Sequence, residues 1–420
     1  MARADRRLTP GGLRAETALT VGAALGSTFL AGLASLGAAR VLGVDDQGAW
    51  AVMLATAVLA ASVGTLGFQE AAPYAILRSA VPARRATAAR ACALALVLGL
   101  LTALVVLPIA FLTAAGDPGT AAACATAALA GALVVFGVLQ RAVQATLGPG
   151  WYAPSLLVAA GGKLAAVIVL WAVDAMSPAA VGTVWAAASL AGAATAAVGL
   201  ARGTGRGAID VRGALAAYRP HAGFALATLA TIGATTVAQR VDILLVEGLQ
   251  DVGQAGLYSV AVQLGDLLLV APGAIGIVVF RRGASGHGDH WEDFVRATRW
   301  TLVLGVVAGA VTAAAATPLL ELVFGDAYGD AATALRLLVP GIVILAVQSV
   351  VSHYVASRGR PRAVMVAWAV AAVAMIAGDL LVIPDHGIEG AAAVSSAGYA
   401  LCLVLHLPAL RAARRVADGA

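Results

Sequence analysis

Residues 239–281 read QRVDILLVEGLQDVGQAGLYSVAVQLGDLLLVAPGAIGIVVFR. Two apolar runs flank an acidic turn at Asp251, and the second run ends on Arg281 and Arg282. Extended back to His221, the first run is long enough to cross a bilayer, which takes about 20 apolar residues. The second is long enough as it stands. The segment therefore reads as two membrane helices, with an acidic connection at one end and a basic connection at the other.

The same alternation runs through the whole chain. Apolar spans fall at 17–40, 48–77, 86–114, 121–147, 153–173, 178–201, 221–247, 253–281, 297–320, 331–356, 363–383 and 388–410. Arginine groups stand before the first span and after every even-numbered one: Arg14, Arg84 and Arg90, Arg206, Arg282 and Arg296, Arg360, Arg414. The opposite connections carry Asp45, Asp46, Asp117, Asp174, Asp251, Asp326, Asp330, Asp385 and Glu389. Basic loops stay in the cytoplasm, so an even number of crossings is expected, with both termini inside. The expected location is a bacterial cell (inner) membrane. A missed or extra helix would invert the alternation from that point onward.

Composition agrees. Of 420 residues, 61% are hydrophobic and only 12% charged, with a mean hydropathy of +0.91. A soluble domain carries about 25% charged residues, so this surface must face something other than water. The net charge of +5 is gathered on one side of the membrane and points to topology, not to nucleic acid. Cys92, Cys124 and Cys402 lie in apolar stretches without paired spacing, as small hydrophobes do. The first apolar run, behind an Arg-rich start, reads as a retained span and not a cleaved signal.

Spans 1 and 7 resemble each other at an offset of 208 residues: Thr20 with Thr228, Ser27 with Thr235, Thr28 with Thr236, Gly48 with Gly256, and Trp50 with Tyr258. Six helices per half is an even number, so the halves share one topology and relate by an axis along the membrane normal. The expected fold is an all-α polytopic membrane protein of about 12 transmembrane helices, in two six-helix lobes with pseudo-twofold symmetry. Its parts are a cytoplasmic tail over 1–16, an N-lobe over 17–201, a cytoplasmic linker over 202–220, a C-lobe over 221–410 and a cytoplasmic tail over 411–420.

Polar stripes mark the helices expected to face a cavity. Thr228, Thr231, Thr235, Gln239 and Asp242 share one face of span 7, and Ser259, Gln263 and Asp266 share one of span 8. Span 1 carries a weaker stripe through Thr17, Thr20, Ser27 and Ser35. The plainer alternative is that such hydroxyls bond neighbouring helices or their own backbone. Charges at membrane depth are few: Lys163 (the only lysine), Asp266, Arg240, Asp242, Glu70 and Arg141. Such groups are paired or functional. Arg141, Arg336 and Asp379 are expected to reach the interface, and Glu70 to pair with a nearby arginine. No nucleophile–base constellation, metal-ligand spacing or Walker A loop is present, so no enzyme activity and no cofactor are expected.

The segments ARVLGVDDQGAWAV at 39–52, ASVGTLGFQEAAPYAILR at 61–78, LVFGDAYGDAATALRLLVPG at 322–341, ASRGRPR at 356–362 and GIEGAAAVSSAGYA at 387–400, together with 239–281, resemble the polysaccharide transporter (oligosaccharide flippase) branch of the multidrug/oligosaccharidyl-lipid/polysaccharide exporter superfamily. That resemblance implies helices 1, 2, 7 and 8 around a central cavity. It also implies an oligosaccharide on a polyprenyl diphosphate, moved from inner to outer leaflet by alternating access for cell-surface polysaccharide assembly. Arg240 would then hold the diphosphate, with Lys163 and Arg40 as further basic candidates. Thr228, Thr231, Thr235, Gln239 and Gln263 would be polar substrate contacts, and Asp266, Asp242 and Glu70 ion-coupling candidates. The partners implied are the lipid-linked oligosaccharide, membrane lipids, and a polysaccharide polymerase and glycosyltransferases. The chain has fewer arginines in spans 1, 2 and 8 than that family's cavity. The alternatives are an ion-coupled multidrug antiporter of the same superfamily, a peptidoglycan-precursor flippase, an integral-membrane glycan polymerase or ligase, and a non-transporting scaffold.

The topology makes a direct prediction. Single cysteines placed at Arg84, Arg206, Arg282 and Arg360, in a background without the three native cysteines, should resist impermeant thiol reagents in intact cells. Labelling of any one from outside breaks the twelve-span arrangement.

Overall fold

The computed structural model describes residues 10–79, 84–113, 119–204, 211–270, 272–273, 275 and 291–417. The described residues are overwhelmingly helical and include no strand. Helix is the only open-ended backbone that satisfies its own polar groups in hydrocarbon, so these apolar runs can take no other form. In order, the helices are α1 (Pro10–Leu42), α2 (Val44–Gly64), α3 (Phe68–Arg78), α4 (Arg84–Thr113), α5 (Gly119–Leu147), α6 (Pro149–Ala172), α7 (Pro178–Thr204) and α8 (Val211–Tyr218). Next come α9 (Ala222–Leu249), α10 (Val252–Leu268), α11 (Trp291–Ala314), α12 (Ala316–Phe324), α13 (Ala332–Ser357) and α14 (Pro361–Ala417).

By length and hydropathy, 10 described helices can cross a membrane. The last of these, α14, runs 57 residues and contains a non-helical break at Gly387 (φ 51°). At 1.5 Å per residue it is far too long for one crossing, so it contains spans 11 and 12, with Asp385 and Glu389 at the turn. Of span 8, only the part up to Leu268 is a described helix; Arg281 and Arg282 lie outside the described residues, as do Asp117 and Arg206. The ten helices cover eleven of the sequence-derived spans, and span 8 is described only in its first part. The connection at 202–220, expected as a plain linker, contains α8, whose Tyr218 is fully buried and donates a hydrogen bond to the Thr87 carbonyl (3.2 Å).

Span 2 is broken. Leu66 (φ 47°) and Gly67 (φ 73°) are left-handed and separate α2 from α3. A Cβ on Gly67 would collide with the Ala225 carbonyl, so this position excludes side chains twice over, by conformation and by space.

The chain forms two compact units, one of residues 1–34 and 56–229, the other of 35–55 and 230–420. Each has an apolar core. In the first, Ile76, Leu94, Val134, Val138 and Tyr218 pack together. In the second, Val246, Tyr258, Leu320, Leu335 and Ile383 do so, with a further cluster around Tyr354, Trp368 and Met375. The division does not follow chain order. The connected end of the first helical hairpin, residues 35–55, belongs to the second unit.

Two glycines permit that. A Cβ on Gly48 would strike the Val252 carbonyl, and a Cβ on Gly256 would strike the Val44 carbonyl. Those same Cβ positions lie 3.0 Å from the Gly256 nitrogen and 3.1 Å from the Gly48 nitrogen. Residues 44 and 252, and 48 and 256, are repeat mates at the offset of 208. The contact is therefore reciprocal, as it must be where a twofold relation maps one side onto the other. The mates Trp50 and Tyr258 are both buried, 1% and 0% exposed.

Gly48→Ala and Gly256→Ala should each destabilise the protein by about 1–3 kcal/mol, the range for overpacking a fitted contact. Gly22→Ala is the control, because a Cβ there meets nothing within 4 Å and alanine gains ~0.5–1 kcal/mol over glycine in a helix. Thermal unfolding in detergent checks the sign; the same Tm for Gly48→Ala and Gly22→Ala would show that no close crossing exists.

Candidate functional site

The polar stripe of α10 is the spine of the candidate site. Asp251 caps the helix, accepting from the Gln254 amide at 2.8 Å, which fixes where the helix begins and so the register of its polar positions. Ser259, Gln263 and Asp266 then recur at i, i+4 and i+7. Each meets a different span. Gln47 of α2, the helix that begins span 2, donates to the Ser259 hydroxyl (3.0 Å). Ser35 of span 1 donates to Gln263 Oε1 (2.6 Å). Arg240 of span 7 donates to Asp266 Oδ2 (2.8 Å). One stripe thus joins helices 1, 2, 7 and 8 through residues that all belong to the second unit.

Arg240 and Asp266 form an ion pair in which both side chains keep access to solvent, 31% and 38% exposed. Solvent access matters here: a pair this open can exchange partners, whereas a sealed pair could not without leaving a bare charge. Asp242, two residues on and on another face, is sealed. It accepts from the Tyr258 hydroxyl (2.7 Å), the Ser395 hydroxyl (3.2 Å) and the Ile243 amide (2.9 Å). Asp379, expected near the interface, is instead fully buried, and neither of its carboxylate oxygens has a hydrogen-bond partner. It lies within Coulombic range of Asp242.

The remaining candidates are dispersed. Thr228, Thr235 and Thr236 donate to their own helix backbone at the Phe224, Thr231 and Ile232 carbonyls (2.9, 2.9 and 2.8 Å). This is the self-bonding pattern of hydroxyls in membrane helices. Thr231 and Gln239 are half-buried on the same helix. Glu70 pairs with Arg141 (3.3 Å) in the first unit, with Gln144 as a further acceptor for Arg141. Lys163 of α6 sits 4.7 Å from the centre of the Trp185 ring of α7. Arg40 caps the C-terminus of α12, donating to the Leu322 and Val323 carbonyls, where a cation meets the negative end of the helix dipole.

Sequence reasoning passed over Tyr258, Ser395, Gln47 and Asp379 as site residues. Tyr258 was visible only as a repeat mate. Asp379 carried a signal, a lone carboxylate in an apolar span, but which helices would cover it was not written in its own span.

No protein-family model matches the chain, and no curated protein matches it. Solved structures do. A multidrug resistance MATE family transporter of the MOP superfamily, in an inward-facing conformation, superposes with a TM-score of 0.72 at 14% identity, over 93% of this chain and 94% of that one. The lipid II flippase MurJ, in an inward closed conformation, gives 0.75 at 12%, over 94% and 87%. A MOP superfamily transporter from Pyrococcus furiosus, described as having a binding pocket of reverse polarity, gives 0.65 at 13%, over 98% and 97%. At these identities the likeness establishes the fold: the chain is a multi-span helical membrane protein with the architecture of MOP superfamily transporters.

Tyr258→Phe leaves Asp242 short of its nearest donor in a sealed site. It should cost about 1–3 kcal/mol, the penalty for an unsatisfied buried polar group. Ser395→Ala, which removes the longer of the two hydroxyl bonds, should cost less. Thermal stability of the two variants in detergent decides this, and the reverse order would place the weight of the site on Ser395.

Proposed function

We propose that this protein is a flippase that carries a polyprenyl-diphosphate-linked oligosaccharide from the inner to the outer leaflet by alternating access, serving cell-surface polysaccharide assembly. The observation that carries the reading is the solvent-accessible pair of Arg240 and Asp266. A sugar chain on a diphosphate cannot cross hydrocarbon without compensation for lost hydration. A guanidinium supplies this well, because it is always charged and its fork of donors matches phosphate oxygens. Arg240 is the arginine at membrane depth that stands beside the polar spine of α10. The fold shared with a lipid II flippase is consistent with such a substrate.

Asp266 gives the site a resident competitor. A diphosphate offers more charge and more acceptor oxygens than one carboxylate, so it displaces Asp266 from Arg240 on arrival. The displaced carboxylate then favours expulsion of the anion, because re-forming the pair relieves its uncompensated charge. On this account Asp266 tunes release, and the sealed group of Asp242 and Asp379 is the place where an ion gradient would act. Polysaccharide polymerase and glycosyltransferases would be the neighbouring activities, since something must build the lipid-linked sugar and something must extend it.

A second reading, an ion-coupled multidrug antiporter, is favoured by Asp379. A buried carboxylate without hydrogen-bond partners suits exchange of a proton or sodium against a cationic drug, and the MATE structures share the fold.

Proteoliposomes separate the two. For the flippase, Arg240→Lys should weaken binding of a labelled polyprenyl-diphosphate oligosaccharide, although charge is kept. Asp266→Asn should tighten binding by about tenfold, the value of one charge-assisted hydrogen bond released for the ligand, and slow flipping. Asp379→Asn should remove any dependence on an imposed proton or sodium gradient. If the parent exchanges a lipophilic cation but flips no lipid-linked sugar, the antiporter reading stands. If Asp266→Asn binds and flips like the parent, the competitor role is wrong.

A further inference from the structure

Along α11, a groove of about 660 Å³ is lined among the described residues by Trp291, Glu292, Arg296, Arg299, Trp300 and Val303, with Val295. Glu292, Arg296, Arg299 and Val303 fall at i, i+4, i+7 and i+11, on one helical face. The opposite face is committed elsewhere: Gly309 would bring a Cβ to 2.9 Å from Val339 of α13, and Gly305 to 3.3 Å from Val343. The groove face therefore looks away from the packed interior of its unit.

Its chemistry changes along the helix in the order that a lipid would require. At the start stand Arg296 and Arg299, both exposed, with no ion pair among the described residues. Glu292 is the one carboxylate among the groove-lining residues, and Arg414 stacks 5.0 Å from the centre of the Trp291 ring. Trp291 is a fixed wall, since it packs on Phe294 (5.1 Å) and Tyr354 (5.9 Å), which belong to the core. Trp300, 58% exposed, stands one turn further in, at the level where amphipathic indoles mark the membrane interface. Beyond it the face becomes wholly apolar through Val303, Val306 and Ala310, with Val303 and Val306 each 51% exposed.

We propose that this groove is a binding site for an anionic phospholipid of the leaflet that the basic loops face. The two guanidinium forks hold the phosphate, the indole of Trp300 covers the glycerol region, and an acyl chain lies along Val303 and Val306. Two exposed arginines against one glutamate on the groove face favour a headgroup with net negative charge over a zwitterionic one, because a choline cation would meet the same arginines. This assignment rests on the membrane-spanning fold and not on the transported substrate.

Native mass spectrometry of the full-length protein, offered equal amounts of phosphatidylglycerol and phosphatidylcholine, tests it. The parent should retain phosphatidylglycerol in excess, and Arg296→Gln with Arg299→Gln should reduce that retention about tenfold or more, as expected for two arginines at a lipid surface. Arg296→Lys with Arg299→Lys should keep an intermediate preference, and Trp300→Ala should lower retention of both lipids without changing their ratio. No preference in the parent, or unchanged retention in the double glutamine variant at unchanged Tm, overturns the proposal. So does a double variant that loses added polyprenyl diphosphate while keeping phosphatidylglycerol, because the groove would then be a substrate-loading site.

Discussion

Two backbones pass closer than any side chain allows where Gly48 meets Val252 and Gly256 meets Val44. Much of the second unit's organisation depends on that approach. Only with α2 drawn this near to α10 can Gln47 reach Ser259, and only with the first hairpin held beside the same helix can Ser35 reach Gln263. In a membrane the hydrophobic effect does not press helices together, so close packing of small residues and interhelical hydrogen bonds must do so. The first unit uses the same device where Gly99 and Gly131 lie against each other's carbonyls.

The charged groups inside the bilayer show four answers to one electrostatic problem. Glu70 and Arg141 neutralise each other as a partly exposed ion pair. Arg240 and Asp266 do likewise beside the polar spine. Lys163 spreads its charge over an indole face, a weaker arrangement whose value rises as water is excluded. Asp379 has none of these and depends on whatever small positive species it can recruit. The same ranking separates groups that hold the fold together from groups with capacity left for chemistry.

The membrane character, most of the span boundaries and the repeat were legible in the sequence because each is a one-dimensional signal: hydropathy, charge sign and spacing. The stripes were legible too, since helical period projects residues onto faces. What the stripes touch was not. Arg240 and Asp242 visibly pointed to different faces, but nothing in the chain said that Arg240 would meet a residue 26 positions on, or that Asp242 would be closed off by Tyr258 and Ser395. Arg40 read as a basic group near a cavity, and its engagement with α12, some 280 residues later, depends on a hairpin joining the other unit. Asp379 was placed by its position along span 11, and hydropathy could not say that neighbouring helices would bury it completely.

The indole-covered amine of Lys163 has a consequence beyond its electrostatics. The chain contains no other lysine, so amine-directed chemistry has a single side-chain address in the whole molecule, and that address lies inside the bilayer against Trp185. Reagents that modify lysines on the surfaces of ordinary proteins find none on the loops here. An amine-selective probe small enough to enter would report on one interior point of the first unit, and the neighbouring indole would act as its optical reporter.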